Sequence, residues 1–60
     1  MLARVQIARI REIARQAQVT GEELESFPYY EHLIRTGSDR LEIINFFYAG
    51  LLDAGVMANE

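Results

Sequence analysis

Between Leu2 and Ala17 the apolar residues Leu2, Ala3, Ile7, Ile10, Ile13, Ala14 and Ala17 return at steps of three and four. That spacing puts side chains on one face of an α-helix. At about 100° per residue these seven fall within roughly 140° of arc, while Arg4, Arg11 and Arg15 gather within about 40° on the opposite flank. The pattern predicts a first helix over residues 2–18 with an apolar seam and a narrow arginine ridge. Val5 and Ala8 lie off the seam and offer a second, weaker contact surface.

Thr20-Gly21-Glu22-Glu23 then reads as a capping box, in which the Thr20 hydroxyl accepts an amide of the next element and Glu23 reaches back. Glu22, Glu23 and Glu25 crowd that start, where the helix dipole favours carboxylates. The predicted second element spans residues 21–36 and is interrupted at Pro28. Phe27 is biased away from the α region by the proline that follows it, and Pro28 suits the first turn of a new helix. A turn over Gly21 to Ser26 therefore leads into a helix from Pro28 to Thr36 that ends at Gly37. The alternative is one helix kinked at Pro28, since Leu24, Phe27, Tyr30 and Ile34 keep a helical spacing. Thr36-Gly37-Ser38-Asp39 repeats the same cap chemistry, and Leu-Glu follows each copy closely. The shared stretch is far shorter than a structural repeat of about 20 to 50 residues, so it reads as two helix starts with the same cap preferences.

A third helix is predicted over residues 38–54, with Gly55 as a left-handed stop. Its polar residues Glu42, Asn45 and Asp53 occupy about 80° of arc, and apolar side chains cover nearly everything else. A helix apolar over most of its circumference is covered on most sides. Two short helices of the same chain cover only part of it, so the expectation is an all-α, single-domain protein over residues 1–60 whose core is completed by self-association, most simply as a homodimer. The expected oligomer interface is Ile43, Phe46, Phe47, Gly50, Leu51 and Ala54. Gly50 and Ala54 stand one turn apart, and glycine inside a helix costs about 1 kcal/mol relative to alanine. Either two helices of different chains cross closely there, or Gly50 makes room for an aromatic ring of its own chain.

Charge changes this picture more than composition does. The 60 residues carry a net charge of −3, but four arginines against Glu12 give residues 1–18 a charge of +3. Arg35 and Arg40 against eight carboxylates give residues 19–60 a charge of −6. A basic helix is thus joined to an acidic body, and either the body, a sister chain or an anionic partner answers the arginines. The half-apolar, quarter-charged composition is that of a folded globular chain, and the absence of cysteine excludes a disulfide framework. Arginines scattered through Met1 to Gln18 leave no apolar run of a secretory signal, so a cytoplasmic protein is expected. Leu41 to Ala58 is broken by Glu42, Asn45 and Asp53 and is too short an uncharged run for a bilayer span of about 20 apolar residues.

Candidate chemistry is sparse. There is no nucleophile set with room for a pocket, no phosphate-cradling glycine loop and no metal-ligand spacing around His32, so no enzyme activity, cofactor or metal is expected. The ridge of Arg4, Arg11 and Arg15 can contact a partner or be solvated and salt-bridged, and Tyr29 and Tyr30 beside Pro28 have the character of interface anchors. These five are the expected partner-binding residues. At least one of the two tyrosines is expected to stand out of the core, because adjacent helical residues point about 100° apart. The expected function is a small interaction module that regulates, inhibits or adapts a larger protein. The alternative is a DNA-binding regulator whose first helix tracks phosphates, but the acidic body and the apolar third helix disfavour nucleic acid as a partner, and no membrane partner is expected.

Overall fold

A computed structural model describes the backbone of residues 1–59 and the side chains of residues 1–53. It is all-helical: α1 (Arg4–Thr20), a single 3-10 turn (Leu24–Ser26), α2 (Pro28–Arg35) and α3 (Arg40–Asn59). Pro28 opens α2 as its first residue, where its missing N–H would have had no helical partner. The chain breaks before Pro28 instead of kinking through it, because Phe27 is extended at φ −88° and ψ 127°.

The two Thr-Gly pairs end helices; they do not start them. Thr20 is the last residue of α1, and Gly21 takes the left-handed conformation at φ 78°, donating its N–H to the Ala17 carbonyl at 2.7 Å. The Thr20 hydroxyl accepts the Glu22 amide at 3.3 Å, two residues on, so the expected capping box with Glu23 does not form. Gly37 repeats the left-handed turn at φ 93°. There the Gly37 N–H reaches the Ile34 carbonyl and the Ser38 N–H the Leu33 carbonyl, at 3.1 and 3.0 Å, the paired bonds of a Schellman stop. The start of α3 comes one step later, where Asp39 Oδ1 accepts the Leu41 amide at 2.9 Å. α3 also continues through Gly55, the expected stop, to Asn59. A glycine weakens a helix by about 1 kcal/mol but ends it only by turning left-handed.

The direction of packing follows from three contacts. The Met1 amino group lies 3.9 Å from Glu42, Arg11 pairs with Asp53, and a Cβ placed on Gly50 would lie 2.7 Å from the Ala14 Cβ. Met1 meets the first turn of α3 while Arg11 and Ala14 meet residues 50 to 53, about two turns or more further on, so α1 and α3 run side by side in the same direction. The 3-10 turn and α2 form the return crossing. Leu2, Ile10, Ala14, Ala17, Leu24, Leu33, Ile43 and Phe47 make the core, and every element contributes at least one of them. Leu33, 0% exposed, is the one fully buried residue of α2, and Tyr29 and Tyr30 pack against the core beside it.

Candidate functional site

On α3, Ile43, Phe47 and Gly50 point into the chain and are buried. These three were expected at an oligomer interface; within the chain Ile43 and Phe47 belong to the core that α1, the 3-10 turn and α2 also build, and Gly50 lies against α1. Gly50 does mark a close approach of two backbones, since an added Cβ would meet the Arg11 Cα at 3.1 Å, but the second backbone belongs to the same chain. No aromatic ring fills that space among the described residues. Phe46 and Leu51 are half-buried against the core. The side chain of Ala54 lies outside the described residues.

The outer side of α3 is different. Leu41, Tyr48 and Leu52 remain 70%, 60% and 68% exposed. At about 100° per residue they fall within roughly 40° of arc, opposite the buried line, and form one stripe. Beside the stripe a groove of about 310 Å³ opens between α3 and the 3-10 turn, lined by Leu24, Ile44, Phe47, Tyr48 and Leu51 and edged by Glu23 and Glu25. Neither edge carboxylate has a cation within ion-pair distance among the described residues. None of Leu41, Tyr48, Leu52, Glu23 and Glu25 stood out in the sequence as a site residue. A helix apolar all round does not announce which of its faces stays open, and carboxylates at an element's start already have a local explanation in the dipole.

The five expected partner-binding residues do not form one patch. Arg11 pairs with Asp53 of α3, and Arg15 pairs with Glu12 at 3.0 Å within α1. Arg4 alone of the ridge is exposed without a carboxylate partner among the described residues. Two of the three guanidinium groups that would track phosphates are thus already matched by carboxylates of the chain. Tyr29 and Tyr30 are both half-buried and pack on the core, so neither stands fully out of it as expected for one of them. The Tyr29 ring has two local neighbours: it stacks with His32 at 6.0 Å, and the Arg9 guanidinium lies 5.4 Å from its centroid. Arg9 and Arg11 point about 200° apart on α1, which puts Tyr29 on the flank away from the ridge. A second groove of about 290 Å³ lies there, between Ile13 and Gln16 of α1 and Phe27, Pro28 and Tyr29.

Among the described residues no cluster of three or more His, Asp or Glu could hold a metal ion, and no helix is long and apolar enough to cross a membrane. Every buried side-chain nitrogen or oxygen among them has a hydrogen-bond partner. Comparison with known proteins returns no match: neither a family model, nor a characterised protein, nor a solved structure aligns with the chain.

Proposed function

We propose that this chain is a small cytoplasmic protein-interaction module that binds a larger protein as its regulator, inhibitor or adaptor, and that it has no catalytic activity of its own. One observation carries the reading: the outer stripe of Leu41, Tyr48 and Leu52 leaves large apolar side chains in water on a helix whose inner face is buried in the core. Contiguous exposed apolar surface is characteristic of interaction sites. A helix held by its own core also presents that surface with little ordering cost on binding. A second copy of the chain is the competing occupant, as the sequence alone leads one to expect. Ile43, Phe47 and Gly50 are buried within the chain, so either occupant would meet the outer stripe rather than these three.

The test is a double variant, Leu41→Glu with Leu52→Glu, introduced into the tagged protein in its own cells. Both side chains are exposed, so helicity and the cooperative melt are expected to stay close to those of the parent. Cross-linking should recover a partner with the parent chain and lose it with the variant. Recovery of the same partner by both chains would remove the outer face of α3 from the function, and a parent chain that cross-links to nothing would end the reading as an interaction module.

A further inference from the structure

We infer that the groove between α3 and the 3-10 turn receives a basic amphipathic helix of a partner protein. The inference rests on the interaction-module reading and names the partner's chemistry. The helical shape of the occupant comes from α3 itself. Leu41, Ile44, Tyr48 and Leu51 follow one another at steps of three, four and three, the spacing of the a and d positions along which one helix meets another. At 1.5 Å per residue this seam is about 15 Å long, close to three turns of a facing helix. Ile44, Tyr48 and Leu51 form one wall of the groove, and Leu24 and Phe47 complete its apolar lining. The seam continues past the groove to the exposed Leu41.

The sign of the partner's charge comes from the edge. Glu23 and Glu25 border the apolar lining from the 3-10 turn, both are exposed, and no described cation is within ion-pair distance of either. A helix lying on the seam brings its flanking positions against that edge, where lysine or arginine is matched and glutamate is repelled. A second copy fits less well. Two copies joined through this face would bring two bodies of −6 together, edge carboxylates included. The outward face of α1 is basic, but its apolar residues are only Val5, Ala8 and Val19, short side chains for a groove lined by leucine and aromatic residues. Anionic lipid and nucleic acid meet the same repulsion from the edge.

The probe is a fluorescein-labelled 14-residue peptide with leucine at helical spacing and lysine elsewhere, compared by anisotropy with the same peptide carrying glutamine or glutamate at the lysine positions. The full chain is expected to bind the lysine peptide, to bind the glutamine peptide more weakly and to leave the glutamate peptide free. Replacing Glu23 and Glu25 together by glutamine should weaken the lysine peptide about fivefold, as two partly screened charge contacts of about 0.5 kcal/mol each would, and should leave the glutamine peptide unchanged. The variant Glu12→Gln with Glu31→Gln removes the same charge at α1 and α2 and should change neither. Equal losses in the two double variants would overturn the proposal in favour of unspecific attraction to an acidic protein. A glutamine peptide that binds as tightly as the lysine peptide would overturn the basic partner while leaving the apolar face as the docking site. If light scattering gives two chains for the parent and one for Tyr48→Glu, the groove belongs to a second copy. Failure of all three peptides, with the cross-linked partner still dependent on Leu41 and Leu52, would remove the groove and leave the interaction reading intact.

Discussion

On the inner face of α3, Ile43, Phe47 and Gly50 lie within about 60° of arc and are covered by their own chain; on the outer face, Leu41, Tyr48 and Leu52 lie within about 40° and stand in water. Hydropathy hardly separates the two sets, and neither does size except at Gly50. α1 presents Ala14 to the inner face, and Gly50 answers it with no side chain, so the backbones approach until a Cβ would no longer fit. The outer face has no small residue in its stripe. A core in 60 residues is therefore built by choosing the face on which two helices can come closest. The side chains left on the other face, with no glycine among them to admit a second helix as closely, become the surface on which another molecule can bind.

The sharpest way to sharpen the contrast is the same kind of truncation on both faces. Ile43→Ala removes a side chain that is 0% exposed and should destabilise the chain by about 2 to 5 kcal/mol, which in a domain this small comes close to unfolding it. Leu52→Ala truncates a side chain that is 68% exposed and should stay within about 0.5 kcal/mol of the parent. Urea midpoints of the two variants measure the difference. Similar shifts in both would mean that α3 is not divided in this way and that its outer face is also packed, by a second chain.

Gly50→Ala tests the reason for the division. Alanine gains about 1 kcal/mol in helix propensity over glycine, while overpacking costs roughly 1 to 3 kcal/mol. Because two of the clashing atoms are the Arg11 Cα and carbonyl oxygen, backbone that cannot swing aside, the clash should win. A net loss on the order of 1 kcal/mol is expected. Pairing the change with Ala14→Gly relieves the 2.7 Å contact, and its effect should be less than additive with that of Gly50→Ala. A melting temperature raised by Gly50→Ala alone would place the α1–α3 contact elsewhere.

What could be read from the sequence follows the same line. The periodicity of Leu2 to Ala17 locates α1 because its apolar arc is narrow, and Pro28 marks the start of α2 because a ring without an N–H leaves few choices. The expected interface falls largely on the inner line because nothing in an all-round apolar helix distinguishes core from surface. The usable signal was the coincidence of small residues, Ala14 on one helix and Gly50 on the other. The Thr-Gly pairs misled for a different reason. Thr20 and Thr36 carry the chemistry of a helix start, but each precedes a glycine that turns left-handed at φ 78° or 93°, and that turn ends a helix before the hydroxyl can begin the next. The groove was not legible at all, since it exists only where the 3-10 turn folds back on α3.

The smallest expected effect concerns the border between the two faces, where Arg11 reaches across to Asp53. The pair ties α1 to α3 at the end of the Gly50 contact, yet both side chains are about half exposed, at 47% and 58%. Exposed ion pairs contribute about 0.2 to 1 kcal/mol in double-mutant cycles. Arg11→Ala and Asp53→Ala should thus show a coupling in that range, and it should shrink in 1 M salt, where the Debye length is about 3 Å. Arg4→Ala, with no described carboxylate partner, should leave stability unchanged at either ionic strength. If Arg11 served a partner rather than α3, its truncation would weaken binding without moving the melt, and the coupling to Asp53 would be zero. A coupling above zero that fades with salt would assign Arg11 to the fold and leave Arg4 as the arginine of the ridge still open to another molecule.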